Sequence, residues 1–190
     1  MTNKFSVKIE FDSKILLHAC CAPCALSPVP EFAAAGVAFD AFFYNPNIFD
    51  AAEHDKRLAE VKKIAGIFGF ALFIQNDEYS KFLEFVSGLE SEPEGGARCA
   101  KCIEMRMAAA FEFARAGGYK YVATTLSTSP HKNVKLINSL GSALSEKHGG
   151  RIKLIEFDFK KSDGYKNSVD HCKKYSIYRQ TYCGCHFSKR

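Results

Sequence analysis

Apolar positions along the chain change period repeatedly. Five short runs rich in β-branched and aromatic residues, 14–21, 37–44, 70–75, 120–126 and 151–157, alternate with longer stretches in which apolar residues recur every three or four positions. The first pattern is that of strands and the second that of amphipathic helices. Helices are expected over 25–35, 50–68, 80–89, 99–116, 132–148 and 163–175. Within the second of these, Leu58, Val61, Ile64, Ala65 and Phe68 share a face, and Phe82, Leu83, Phe85 and Val86 repeat the habit in the third. Gly117-Gly118 and Gly149-Gly150 supply two helix stops. Strands alternating with helices from one end to the other predict an α/β fold with about five parallel strands flanked by helices. No repeat, linker or low-complexity tract divides the chain, so residues 1–190 are expected to form a single α/β domain ending in a Cys-Gly-Cys segment.

A chain of 190 residues buries a full core without disulfides, which makes its eight cysteines surplus to folding. The first residues lack the charged and apolar regions of a signal peptide, and no run approaches the roughly 18 apolar residues of a membrane span. A cytoplasmic protein is expected. In that reducing compartment clustered cysteines argue for metal binding or redox catalysis over structural bridges. The formal charge of +5 allows a nucleic-acid partner without requiring one.

The cysteines fall into three groups and one outlier. The first group, Cys20-Cys21-Ala22-Pro23-Cys24, follows the first predicted strand, and in an open parallel sheet ligands bind outside the carboxyl ends of the strands. Neighbouring strand residues point to opposite faces, so Cys20 and Cys21 converge only if the strand ends there and the chain turns. Cys21 and Cys24 also have thioredoxin-like C-x-x-C spacing. The second group is Arg98-Cys99-Ala100-Lys101-Cys102; if Cys99 opens a helix, the two thiols share a face and make half of a four-thiolate cage. Zinc and a [4Fe-4S] cluster both accept four thiolates, and the irregular spacing, with one arm an adjacent pair, favours the cluster. Arg98 and Arg106 flank this pair and can offset negative charge or hold an anionic substrate. The third group, Cys183-Gly184-Cys185, would close a very small disulfide ring, easily reduced and suited to a redox relay, or would offer two metal ligands. Cys172, without a partner at matching spacing, is expected to be a packed thiol.

These motifs, taken in order, resemble one family. Leu16-Leu17-His18-Ala19-Cys20-Cys21-Ala22-Pro23-Cys24, Tyr44-Asn45-Pro46-Asn47-Ile48, Gly88-Leu89-Glu90 with Pro93-Glu94, Arg98-Cys99 through Cys102 and Arg106, Thr124-Thr125-Leu126-Ser127 with Ser129-Pro130 and Lys132-Asn133, and Tyr178-Arg179-Gln180 with Tyr182-Cys183-Gly184-Cys185 are similar to the QueH family of cobalamin-independent epoxyqueuosine reductases. The resemblance implies a Rossmann-like fold of the HUP type, a [4Fe-4S] cluster with an adjacent mononuclear iron, and tRNA bearing epoxyqueuosine as substrate. It also implies cluster ligands at Cys20, Cys21, Cys99 and Cys102, and a redox-active pair at Cys183 and Cys185, which with Asp158 are alternatively donors to the second iron.

Removing the epoxide oxygen to leave an alkene consumes two electrons and two protons, whereas one cluster passes electrons singly. An electron donor and the Cys183/Cys185 dithiol are therefore both expected to take part. Asn45, Arg106, Ser127, Lys132, Arg179 and Tyr182 are candidates for substrate contact, with Tyr182 as a stacking group and Lys135, Lys160 and Lys161 as further phosphate partners. Two rival readings remain open: a zinc-stabilised tRNA-binding module, and a thioredoxin-like oxidoreductase using Cys21 and Cys24.

Overall fold

Ile15–His18 is buried on both faces, which makes it the centre of a sheet. In the computed structural model, which describes residues 13–76, 78–129, 131–156 and 164–188, this strand, β1, pairs in parallel with β2 (Phe39–Phe43) on one side. β3 (Leu72–Ile74) lies outside β2, while β4 (Tyr121–Thr124) and β5 (Lys153–Leu154) extend the sheet on the other side, all parallel, in the order β3-β2-β1-β4-β5. The expected α/β architecture is therefore present. Ile15, Leu17, Phe39, Phe43 and Ala123 face one layer, formed by α1 (Ala22–Ala25), α2 (Pro28–Ala34), α3 (Ala51–Phe68) and α7 (Gly164–Lys174). Leu16, Phe42 and Val122 face the other, formed by α5 (Ala97–Ala116) and α6 (Val134–Lys147). A short helix, α4 (Tyr79–Phe85), packs Phe82 toward Cys102 of α5 and Cys185.

Several elements start or stop away from their expected ends, each for a local reason. The strand expected over 14–21 ends at His18, because the Cys20 N–H leaves the ladder to donate to the Thr125 hydroxyl at 2.9 Å. The helix expected over 25–35 begins earlier and is split in two, with Pro23 and Pro28 in first turns, where a missing N–H costs no helical bond. The strand expected over 120–126 stops at Thr124, whose hydroxyl accepts from the Leu126 N–H and turns the chain into a 3-10 turn, Thr125–Thr128. Asn133 caps α6 by accepting from the Leu136 N–H at 3.2 Å, which leaves Lys132 in the preceding loop rather than on the helix. Phe157 and Asp163, expected at the ends of a strand and a helix, lie outside the described residues, as do Asp158, Lys160 and Lys161. Among the described residues no helix is long and apolar enough to cross a membrane.

The chain leaves β1 for β2 on one side of the sheet and reaches β4 on the other. The carboxyl ends of β1 and β4 therefore diverge into the crevice where α/β sheets bind ligands.

Two helical glycines separate packing from propensity. A Cβ on Gly141 of α6 would clash with Leu154 Cδ2 and stand 2.9 Å from its Cγ, whereas one on Gly66 of α3 would meet nothing within 4 Å. Gly141→Ala is expected to lose about 1–3 kcal/mol of stability by overpacking the α6–β5 contact. Gly66→Ala is expected to gain roughly 0.5–1 kcal/mol from helix propensity. Urea denaturation of the two variants, with opposite shifts in midpoint, checks both.

Candidate metal and redox centre

Where β1 ends, the chain turns at once into α1, with Cys21 in extended conformation as its N-terminal cap residue. That turn brings side chains that would point to opposite faces of a strand onto one centre. Cys20 and Cys21 sulfurs lie 3.8 Å apart, and the sulfurs of Cys20, Cys21 and Cys24 all lie within 4.8 Å of one another. Three converging thiols could hold a metal ion. Cys24, of the same group by sequence, joins the first two in space. The Thr125 hydroxyl, across the divergence of β1 and β4, accepts from the Cys20 N–H and donates to its sulfur at 3.1 Å, while Gln180 Nε2 donates to Cys21 Sγ at 2.9 Å.

The second group forms on α5. Cys102 is buried against Phe82, Val86 and Cys185, and Cys99 accepts a hydrogen bond from the Gly95 N–H at 3.2 Å. Cys99, Cys102, Cys183 and Cys185 line one hollow of about 10 Å³. The first group lines a much larger cleft of about 840 Å³, and Lys132 and Cys183 border both spaces. Seven thiols therefore sit in two adjoining sets, three beside four; all eight cysteines are free, and Cys172 is buried in the core as expected.

Arg106 joins the sets. One turn beyond Cys102 on the same face of α5, it is only 3% exposed, and its Nη2 donates to Asn45 Oδ1 at 2.6 Å. Its Nε is buried without a hydrogen-bond partner. Its charge acts on Cys102, Cys20 and Cys183 together. Asn45 is held in turn by donating from Nδ2 to the Ala19 carbonyl. Arg98, by contrast, is spent on the chain itself: its Nη1 donates to the carbonyls of Leu89, Glu90 and Glu92, and the guanidinium lies 4.3 Å from the Phe187 ring centre.

Each thiol set holds one sulfur below the usual thiol range. Hydrogen bonds with Cys21 and Cys24 hold Cys20 down, helped by Arg106 and Thr125 and opposed by burial. Its partners Cys21 and Cys24 are raised, as the donors in those bonds. Cys183 is lowered by its hydrogen bond with Cys185 and, against burial, by Lys132 and Arg106, while Cys185 is raised by donating to it. Lys132 Nζ donates to Cys183 Sγ at 3.4 Å; burial works against its charge, but Cys183, Cys102 and Cys20 together outweigh that and raise its pKa. Burial raises Cys102. His18, below the site, has its pKa brought down to about 4 by burial and by Arg106. Its Nε2–H donates to the Tyr44 carbonyl, which can only accept, and the neutral ring has no second N–H, so its Nδ1 accepts from the Thr124 hydroxyl. The neutral ring ties together the ends of β1, β2 and β4.

The Cys-Gly-Cys segment is placed by Arg57 of α3. Its Nη1 and Nη2 donate to the carbonyls of Cys183 and Tyr182 at 2.9 and 3.2 Å, while its Nε pairs with Glu53 at 2.7 Å. Gly184 is required twice over: its φ is +114°, and a Cβ there would stand 2.9 Å from Ile48 Cγ1 and 3.0 Å from Arg57 Nη1. Arg57 occupies the same helical stripe as Val61, Ile64 and Phe68, so a cation on an apolar face was the available signal for it.

Of the candidate substrate contacts, Asn45, Arg106, Lys132, Arg179 and Tyr182 line the cleft. Ser127 does not: it is buried, with its hydroxyl donated to the Thr124 carbonyl, and its neighbours Thr128 and Ser129 line the cleft instead. Lys135 is exposed on α6 and is not among the cleft residues. Tyr44 and Asn47 are buried outside it. Tyr165 and His131 line the cleft without any motif that marks them.

A family model described as epoxyqueuosine reductase QueH matches residues 15–190. A protein of Staphylococcus epidermidis named epoxyqueuosine reductase QueH is 38% identical over 183 residues, covering 92% of this chain and 76% of the relative. One of Thermotoga maritima with the same name is 37% identical over 179 residues, covering 92% and 89%. Among solved structures, the U34-tRNA thiolase NcsA from Methanococcus maripaludis with its [4Fe-4S] cluster superposes with a TM-score of 0.59 at 13% identity, covering 95% of this chain and 63% of that one. At that identity the likeness is one of fold.

The charge around Cys183 is directly measurable. Metal-free protein is expected to alkylate Cys183 with iodoacetamide at a pH below the ordinary thiol range, as read by peptide mass spectrometry. Lys132→Met removes a stabilising cation, so the thiolate forms at higher pH and the alkylation profile shifts upward; an unmoved profile would contradict the assigned contact.

Proposed function

The chain belongs to the epoxyqueuosine reductase QueH family, and on that premise we propose that it reduces epoxyqueuosine in tRNA to queuosine, removing the epoxide oxygen as water with two electrons and two protons. The observation that supports this most is the gathering of seven thiols around a buried guanidinium beside the carboxyl ends of β1 and β4, four of them lining a cleft large enough for a nucleoside.

Soft thiolates are the donors an iron–sulfur cluster needs, so the residues fit a [4Fe-4S] cluster held by Cys20, Cys21, Cys99 and Cys102. Such a cluster supplies single electrons at low potential. The chain's own residues do the rest. Arg106 balances the negative charge of the thiolates, and Thr125 and Gln180 fix the Cys20 and Cys21 sulfurs by the hydrogen bonds they make. Cys183 and Cys185, oxidised from dithiol to disulfide, release two electrons and two protons, the number the deoxygenation consumes. An external donor then restores the dithiol. In a competing role the same two sulfurs hold a second mononuclear iron beside the cluster; iron bound beyond the cluster's own complement, and lost in the double serine variant, would decide for it.

Asn45, Arg106, Lys132, Arg179 and Tyr182 are proposed to contact the modified nucleotide from the cleft walls, with the basic residues meeting phosphate. Ser127 contributes by shaping the turn rather than by touching substrate.

Anaerobic iron reconstitution followed by turnover on epoxyqueuosine-containing tRNA tests the reading. The wild-type protein is expected to turn brown and to form queuosine. Cys99→Ala should lose both, by more than the roughly 10–100-fold that losing an outer-shell partner costs. Cys183→Ser with Cys185→Ser should keep the colour while multiple turnover collapses. A colourless zinc protein would favour the tRNA-binding module, and loss of activity in Cys24→Ser but not in Cys99→Ser would favour a thioredoxin-like enzyme. A protein with intact cluster and no turnover on this tRNA would sink the assignment.

A further inference from the structure

Tyr165, the second residue of α7, is 51% exposed, the most exposed of the large apolar side chains of the described residues. Phe73, Ile74, Leu83, Phe85 and Ile67 are also exposed, but of these residues Tyr165 alone borders the thiol-lined cleft. Its ring is not loose. Arg179 Nη2 donates to the Tyr165 hydroxyl at 3.2 Å, and the guanidinium carbon lies 5.7 Å from the ring centre. An aromatic ring left in water yet anchored at its polar end is already organised for a flat partner, and little ordering entropy remains to be lost on contact. From Tyr165 onward α7 presents exposed Lys166, Lys173 and Lys174, with Asp170 as its one acid, so the surface leading away from the ring favours a polyanion.

We propose that Tyr165, held by Arg179, is a stacking platform for an unmodified nucleobase next to the modified anticodon nucleotide. This rests on the reading of the cleft as the site of epoxyqueuosine reduction. A single-stranded loop can send only its target nucleotide into the cleft, and its neighbours remain at the mouth, where an aromatic face stacks any base and lysines meet the backbone. The Tyr182 ring, half-buried beside the Arg57 guanidinium that pins the Cys-Gly-Cys segment, offers less free face than the exposed Tyr165 ring. Base identity is read only weakly by such a surface, which suits an enzyme whose specificity comes from the nucleotide inside.

The test uses cluster-loaded protein and an anticodon stem–loop RNA carrying 2-aminopurine beside the target position, a probe whose fluorescence falls when it stacks. Wild-type protein is expected to quench it. Tyr165→Ala should abolish the quench and raise KM for epoxyqueuosine-containing tRNA about 5- to 150-fold, the range for losing one base–aromatic stack, with the defect carried by KM rather than kcat. Tyr165→Phe, which keeps the ring, should restore the quench, a recovery that a merely structural lesion would not show. Wild-type protein that turns over its tRNA without quenching the probe, or a Tyr165→Ala variant with unchanged quench and KM, overturns the platform and leaves the reductase reading standing. Cluster-loaded wild-type protein that neither binds the stem–loop nor reduces the tRNA overturns both.

Discussion

A guanidinium buried in a protein needs negative charge close by, and in this chain the partners of Arg106 are sulfurs. Its Nη2 donates to the neutral amide oxygen of Asn45, and its Nε has no acceptor, so the compensation for burying the cation falls to Cys20 and Cys183, the two sulfurs held below the usual thiol range. An uncompensated buried charge costs several kcal/mol, more than most single interactions contribute to a fold. The cation and the thiolates thus hold one another in their ionised forms. Three separated stretches of chain meet because each carries one member of that arrangement.

The remaining polar contacts keep these members in place. His18 stays neutral and braces the ends of β1, β2 and β4 through two hydrogen bonds, so the strand ends from which Cys20, Asn45 and Thr125 emerge cannot shift independently. Arg57 does the same for the Cys-Gly-Cys segment from the opposite wall, with two backbone carbonyls and Glu53 as partners. Buried hydrogen-bonded groups of this sort are poorly replaced, since losing one partner strands another in a medium without water. Their placement in a ring around the thiols explains how a site made from residues 20 to 185 keeps its geometry.

Charge is also divided across the cleft. Thiolates, Arg106 and Lys132 lie inside, where solvent is sparse and electrostatic interactions are strong. The lysines of α7 lie outside in water, where they act over a longer range but more weakly, subject to salt. A polyanion is therefore attracted to the rim while chemistry is confined to the interior, a separation that lets a large RNA be held without its phosphates entering among the sulfurs.

Much of this was readable from residue order. Short continuous apolar runs separated by helical stripes identified five parallel strands, because strands covered by helices on both faces are apolar on both, whereas the helices bury one side only. The cysteine spacings marked three thiol groups, and their turn-forming neighbours placed the first of them at a strand end. What spacing could not convey was which groups meet. Cys183 and Cys185 lie beside Cys99 and Cys102, and this set adjoins Cys20, Cys21 and Cys24, only because the sheet order brings β1 and β4 side by side and α5 packs behind them. Arg57 and Tyr165 were hidden for a related reason: one is a cation on an apolar stripe and the other an ordinary tyrosine in a polar helix, until packing sets the first against a backbone loop and leaves the second at a cleft mouth. Local sequence determines periodicity, turns and the kinds of donor present. Convergence of distant donors is a property of the packed chain, since it depends on contacts between residues more than a hundred positions apart.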